Sequence, residues 1–316
     1  MSPRADTVAG IQPPPTAPRS APGWRAQRRR AYLLGLVPAL AVLGAVTVAP
    51  AVYLLVTSLT PLRLVNPETA WDFSEPLRNY LSLLEDERFR NSVWIQVKLS
   101  VFTVVLQLLA GLGVAMLLNV RWKFLEAVRT TFLIPMVLPP IVVAIIWKVL
   151  YTPDISPIHH FLASIGHPQG AMITSPDWAL WAIIIADVWE WFPFTMLMLL
   201  AALQIMPEEP LEAARIDGAS AWQLFLLVIL PLLRPTLLVA GLFRLIESIK
   251  AFPLIYILTD GGPGTVTEVT NYYAFLQAFN FSYLGFASAI TVVMVAATFL
   301  LSWLIIRMVG LEVEVE

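Results

Sequence analysis

An acidic residue in the middle of an apolar run can hold a proton or cation, accept hydrogen bonds from a hydroxylated solute, or pair with a buried base. Asp187 and Glu190 are such residues, three positions apart in a run from 178 to 203, with Trp191 next to Glu190. That spacing puts all three on one helix face. At 1.5 Å per residue, Asp187 lies about 14 Å along a helix beginning near Trp178, close to the middle of a bilayer. Carboxylates accept from hydroxyls and an indole face stacks on a sugar ring, so the stripe suits a polyol. Pro193 should kink the helix just beyond it. Arg244, Glu247 and Lys250 form a second stripe at successive i+3 positions. Its excess positive charge could pair with Asp187 or Glu190 or touch a solute, and the spacing is compatible with both.

Other chemistries lack their residues. Cysteine is absent, which removes disulfides, thiolate metal sites and cysteine nucleophiles. A nucleotide-cradling loop of the form G-x-x-x-x-G-K-[ST] needs a lysine after a glycine, and none of Lys98, Lys123, Lys148 and Lys250 follows one. His159, His160 and His167 have only Asp154 as a close carboxylate, so no metal set is expected. No serine stands in a nucleophile elbow.

The elements that must position the two stripes follow from composition. Of 316 residues 58% are hydrophobic and 13% charged, with a mean hydropathy of +0.74. A water-soluble surface needs more charge than that, which excludes a cytosolic enzyme, a nucleic-acid binder and a disordered chain. The net charge of −2 gives no reason to expect a polyanionic partner. Spans of about the 20 residues required to cross a bilayer are expected at 31–62, 97–119, 130–151, 178–203, 235–258 and 284–308. This predicts an all-α protein with six transmembrane helices, since an open sheet cannot span lipid. Residues 1–30 carry six prolines and six arginines and read as a disordered basic tail; 311–316 form a short C-terminal tail. Lysine and arginine concentrate in the tail and in the segments after spans two, four and six, which places both termini in the cytoplasm. Tyr272, Tyr273, Phe275, Phe279, Phe281 and Tyr283, before the last span, read as an aromatic belt at the interface. Gly285, Ala287, Ser288 and Ala289 form a small-residue packing surface.

Residues 205–234, between the fourth and fifth spans, hold two helix signals in succession. Pro210 suits a first helical turn, Glu208, Glu209 and Glu212 favour its positive end, and Gly218 supplies a left-handed stop. Ser220 and Gln223 then make a capping box that opens a second short helix, with Trp222 and Phe225 on neighbouring turns. A helix, a glycine bend and a helix make a stiff lever.

The residues Glu212-Ala213-Ala214, Asp217-Gly218-Ala219 and Leu230-Pro231 match the Glu-Ala-Ala loop of permease subunits in binding-protein-dependent ABC importers, with Val228 where that family prefers isoleucine. A second stretch comprises Thr259-Asp260-Gly261-Gly262-Pro263-Gly264, Tyr272, Tyr273, Ala278-Phe279 and Gly285. It resembles the sugar-importer permeases of the maltose, trehalose, polyol and glycerol-phosphate type. The resemblance covers roughly residues 30–310. It implies the type I ABC importer permease fold and a coupling loop at 205–234 that sits in a cleft of an ATPase. A second homologous permease, two ATPase subunits and an extracytoplasmic solute-binding protein are the implied partners, with a sugar or polyol as cargo. No cofactor is expected on this chain, and ATP with magnesium would belong to the ATPase. The rival reading is a secondary transporter in which Asp187, Glu190 and Glu247 carry protons or sodium.

Overall fold

The computed structural model describes residues 24–119, 123–166 and 170–309. The expected tail up to residue 23, Arg121, His167 and residues 311–316 lie outside the described residues. Among the described residues the elements are helical, in the order α1 Trp24–Ser58, α2 Arg78–Glu85, α3 Glu87–Leu118, α4 Lys123–Phe132, α5 Ile134–Val137, α6 Pro140–Tyr151, α7 Pro157–Ser164 and α8 Ala179–Gln204. They continue with α9 Glu209–Ile216, α10 Ala221–Leu224, a π-helical turn Phe225–Ile229, α11 Leu230–Ile249, α12 Pro253–Leu258, α13 Thr270–Phe275 and α14 Leu284–Val309. The part of α1 up to Tyr53 forms one compact unit and Leu54 onward forms another.

Five helices among the described residues are long and apolar enough to cross a membrane: Gly35–Ser58, Glu87–Leu118, Ala179–Gln204, Ala221–Ile249 and Leu284–Arg307. The third predicted span, 130–151, is instead three helical pieces, α4, α5 and α6. Pro135, Pro139 and Pro140 each lack the backbone N–H that a continuous helix requires, and Leu138 and Pro139 are extended between the pieces. The span predicted at 97–119 begins ten residues earlier, because Asp86 caps it by accepting from the backbone N–H of Arg88 at 2.8 Å and of Phe89 at 3.0 Å. The span predicted at 235–258 breaks after Ile249 and resumes at Pro253. The helix of the first span starts at Trp24, inside the stretch expected to be tail.

The second unit is organised around α3 and α8, which make its most extensive contact. In lipid the hydrophobic effect does not drive helices together, so close approach and buried polar bonds must do so. Gly111 supplies the approach: a Cβ there would overlap the Thr195 hydroxyl and come within 2.8 Å of the Met196 backbone nitrogen. Gly111→Val is therefore expected to push α3 off α8 at a cost of about 1–3 kcal/mol. The check is a lowered thermal midpoint in detergent; an unchanged midpoint would show that the helices part freely. Ala115, Leu118, Met196, Leu199, Leu200, Leu203 and Leu233 fill the core beside this crossing. A second core, around Leu99, Val143, Ile183, Ile184, Leu254, Ile255 and Tyr272, joins α3, α6, α8, α12 and α13.

Gly285 performs the same service at the start of α14. A Cβ there would collide with the Thr60 carbonyl, and its N–H bonds the Leu62 carbonyl at 2.9 Å. Ala287, Ser288 and Ala289 beside it are buried, so this small-residue surface does pack.

Candidate functional site

The segment 205–234 is built as its signals indicate, up to one point. Pro210 lies in the first turn of α9 with Glu209 and Glu212. Gly218 has φ +82, and the chain turns there with its N–H on the Arg215 carbonyl at 3.1 Å and Ala219 N–H on the Ala214 carbonyl at 2.9 Å. Ser220 N–H donates to Gln223 Oε1 at 2.8 Å, and Gln223 N–H to Ser220 Oγ at 3.3 Å, which completes the capping box. Trp222 and Phe225 pack with centroids 5.6 Å apart. The second helix, however, is not a separate short one. It passes through the π turn into α11 and runs unbroken from Ala221 to Ile249. The π turn accommodates Pro231, which has no N–H to return to a carbonyl four residues back; Leu230 N–H bonds the Phe225 carbonyl instead.

Glu212, Ala213, Asp217 and Gly218 are exposed, and Ala214 and Ala219 are half-buried beneath them. Two large apolar side chains stand out beside them, Ile216 at 86% and Trp222 at 67% exposure. This end of the bundle thus offers a rigid, partly apolar face. Ser220→Ala is expected to cost the helix start about 1 kcal/mol. A few-fold loss of transport at unchanged membrane level would register it; full activity would show that the cap is dispensable.

The six intramembrane residues selected from the sequence converge. Asp187, Glu190, Trp191, Arg244, Glu247 and Lys250 all line one cavity of about 110 Å³, closed by Pro140 and by Ala251, Phe252, Pro253 and Leu254 at the break between α11 and α12. Arg244, 2% exposed, donates from Nε to Gln107 Oε1 at 2.8 Å, lies 3.8 Å from Asp187 Oδ2, and sits over the Trp191 ring at 4.6 Å. Gln107 Nε2 donates to Asp187 Oδ2 at 2.7 Å and to the Asp187 carbonyl at 3.2 Å. Lys250 and Glu247 pair at 2.6 Å on the exposed side. The excess positive charge of the second stripe is therefore taken up by pairing across helices, at Asp187.

Sequence inspection of charges alone passed over Gln107 and the polar residues below it on α3. Gln96, Ser100, Thr103 and Gln107 are all buried. Gln96 bonds the Ser248 carbonyl at 3.0 Å, Ser100 Oγ accepts from Ser248 Oγ at 2.8 Å, and the Gln107 carbonyl accepts from Thr195 at 2.7 Å. Their spacing of four, three and four residues was the available signal, a polar stripe along an apolar helix.

The loop after α12 is locked rather than splayed at an interface. Tyr272 and Tyr273 are each 1% exposed, so they are not part of an aromatic belt; Phe279, Phe281 and Tyr283 remain exposed. Tyr272 Oη donates to Asp260 at 2.5 Å and Tyr273 Oη to Asp86 at 2.5 Å. Burial, reinforced by those carboxylates, holds both phenols well above the ordinary tyrosine range, so they stay donors. Gly261, at φ +81, sits where a Cβ would strike the Tyr272 ring. Arg88 grips Glu268 through Nε at 2.7 Å and a terminal nitrogen at 2.6 Å, tying this loop to the start of α3. His159 is buried and His160 contacts the Asp154 carbonyl at 3.2 Å. Among the described residues no three potential ligands cluster for a metal.

Comparison with known proteins meets this geometry from outside. The family described as "Binding-protein-dependent transport system inner membrane component" matches residues 107–310. The trehalose/maltose transport system permease protein MalF of Thermococcus litoralis is 39% identical over 216 residues, 68% of this chain and 73% of that protein. The sulfoquinovosyl glycerol transport system permease protein SmoG of Agrobacterium fabrum is 32% identical over 88% of this chain and 89% of its own. A chain in the crystal structure of a bacterial ABC transporter that imports alginate has the same fold, with a TM-score of 0.78 at 19% identity over 92% of this chain and 99% of that one. A profile match across 107–310 and relatives at 39% and 32% identity make the chain a member of the binding-protein-dependent ABC importer permeases, a multi-pass membrane transport subunit and not an enzyme.

Proposed function

We propose that this permease, with a second homologous permease, forms the translocation pathway for a sugar or polyol delivered by an extracytoplasmic binding protein. Two ATPase subunits carrying ATP and magnesium dock on the cytoplasmic face around Glu212, Ala213, Ala214, Asp217, Gly218 and Ala219, and both termini lie in the cytoplasm. The carrying observation is one continuous helix. It starts at Ala221, just past the exposed Gly218 bend, passes Leu230 and Pro231, and brings Arg244 and Glu247 to the intramembrane cavity, with Lys250 directly after its end. From Trp222 to Arg244 that is about 33 Å of helix at 1.5 Å per residue. A displacement at the docking face therefore has one continuous element through which to reach the cavity, which suits alternating access.

The names of the relatives support a carbohydrate cargo and do not agree on its charge: trehalose and maltose are neutral, whereas a sulfoquinovosyl glycerol carries a sulfonate. The relatives' names, all of binding-protein-dependent or ABC transport permeases, give the secondary-transport reading no support. The test is to purify the tagged protein from its native membrane, identify stoichiometric partners by mass spectrometry, and reconstitute the complex in liposomes. Co-purification of a second permease and an ATPase, with ATP-dependent sugar uptake, is expected. Recovery of the chain alone, catalysing uptake that an uncoupler abolishes, would overturn the proposal.

A further inference from the structure

Each charged group on the 110 Å³ cavity has a partner except one. The Arg244 guanidinium is held by Gln107, Asp187 and the Trp191 ring. The Lys250 ammonium is held by Glu247 at 2.6 Å. Asp187 accepts from Gln107 at 2.7 Å and faces Arg244. Glu190 is 1% exposed, yet its Oε1 has no hydrogen-bond partner. A buried carboxyl oxygen without a donor is costly to leave unmade, commonly by more than the net worth of an ordinary hydrogen bond. On the lining of a cavity, such a group is placed to accept a hydrogen bond from a solute.

We infer that Glu190 is the specificity-determining residue of this pathway, taking hydroxyl donors of an uncharged carbohydrate, and that the cavity refuses sugars bearing a carboxylate, sulfonate or phosphate. The inference rests on the permease reading and sharpens it, because family membership alone leaves the charge of the cargo undetermined. Three acids and two bases line the cavity, Asp187, Glu190 and Glu247 against Arg244 and Lys250. An anionic sugar would find both cations already engaged. It would have to displace the Gln107 or Glu247 bonds before gaining a contact of its own. A neutral sugar need break none of them: once the cavity opens in the transport cycle, a hydroxyl donates to Glu190 Oε1, and Trp191 on the same cavity lining offers its ring. Trp191 contributes area and Glu190 contributes direction.

The experiment uses the assembled importer with its binding protein in liposomes, with two probes of equal size: a neutral disaccharide and a disaccharide containing one uronic acid. Calorimetry first establishes that the binding protein holds each probe; a probe it refuses is replaced by another of the same charge class. ATP-driven uptake of the neutral probe at least 10-fold faster than the uronate is expected. Glu190→Gln, which keeps shape and an acceptor but adds an amide donor and removes the charge, should narrow that preference to within about 3-fold; Glu190→Lys should reverse it. Equal uptake of both probes by the wild type, or an unchanged ratio in Glu190→Gln, would overturn the inference while leaving the permease reading standing. Absence of ATP-dependent uptake of any carbohydrate would instead sink the carbohydrate reading of the cargo. A fluorescence-detected gel-filtration profile for each variant separates loss of selectivity from loss of assembly.

Discussion

Gly218→Pro is expected to abolish ATP-driven uptake while the protein still reaches the membrane. Gly218 sits at φ +82, with open space around the position a Cβ would take. Steric room is therefore not what makes glycine necessary; backbone conformation is. Proline is confined to φ near −65° and cannot adopt that conformation, and it deletes the N–H that bonds the Arg215 carbonyl at 3.1 Å. The bend must open, at about 3 kcal/mol or more, which is roughly a 100-fold loss of the docked geometry. Gly218→Ala enters the same region at about 1 kcal/mol and should lose only several-fold. The comparison is uptake and sugar-stimulated ATP hydrolysis by the two variants at matched membrane levels. Equal activity of proline and alanine variants would show that the bend is a passive connector. Glu212→Lys, which reverses the exposed acid in the first turn of α9, is expected to lower coupling in the same assay.

Arg244→Met is expected to destabilise the bundle more than any other single change at the cavity. Removing the guanidinium leaves Asp187 buried without its opposite charge and Gln107 Oε1 without its donor. Breaking one side of a buried ion pair costs about 3–5 kcal/mol, which corresponds to a fall of the thermal midpoint on the order of 10 °C. Asp187→Asn added to it restores neutrality at that point and should recover more than half of the loss, since the penalty lies in the stranded charge rather than in the missing contact. A double variant no more stable than Arg244→Met would show that Arg244 acts through packing on Trp191. The two single variants and the double variant, measured in one detergent, close the cycle.

Legibility from the sequence followed the range of the interactions. The capping box, the Gly218 stop and the acidic first turn of α9 depend on residues within four positions of each other, and each is present where its pattern stands. What the local signals missed is how the second helix ends: it reads as a short helix separate from the span at 235–258, and the π turn carries it through Leu230 and Pro231 into α11. Likewise a run of apolar residues at 130–151 reads as a span by composition, but three prolines at 135, 139 and 140 divide it. Tyr272 and Tyr273 carry no local mark of burial, because the partner that holds Tyr273, Asp86, lies nearly two hundred residues away.

By itself the sequence determined the membrane as solvent, the all-α class, the lever at 205–234 and the two charged stripes, because helix length, capping and i+3 spacing are local quantities. Only the tertiary structure decided that the stripes share one cavity, that Gln107 bridges Asp187 and Arg244, and that Glu190 is the carboxyl left without a donor. Those facts depend on how α3, α8 and α11 cross, and the crossing depends on Gly111 lying against Thr195. A glycine in an apolar helix does not say which helix it admits; pairing is a property of two surfaces, and neither surface's sequence contains the other.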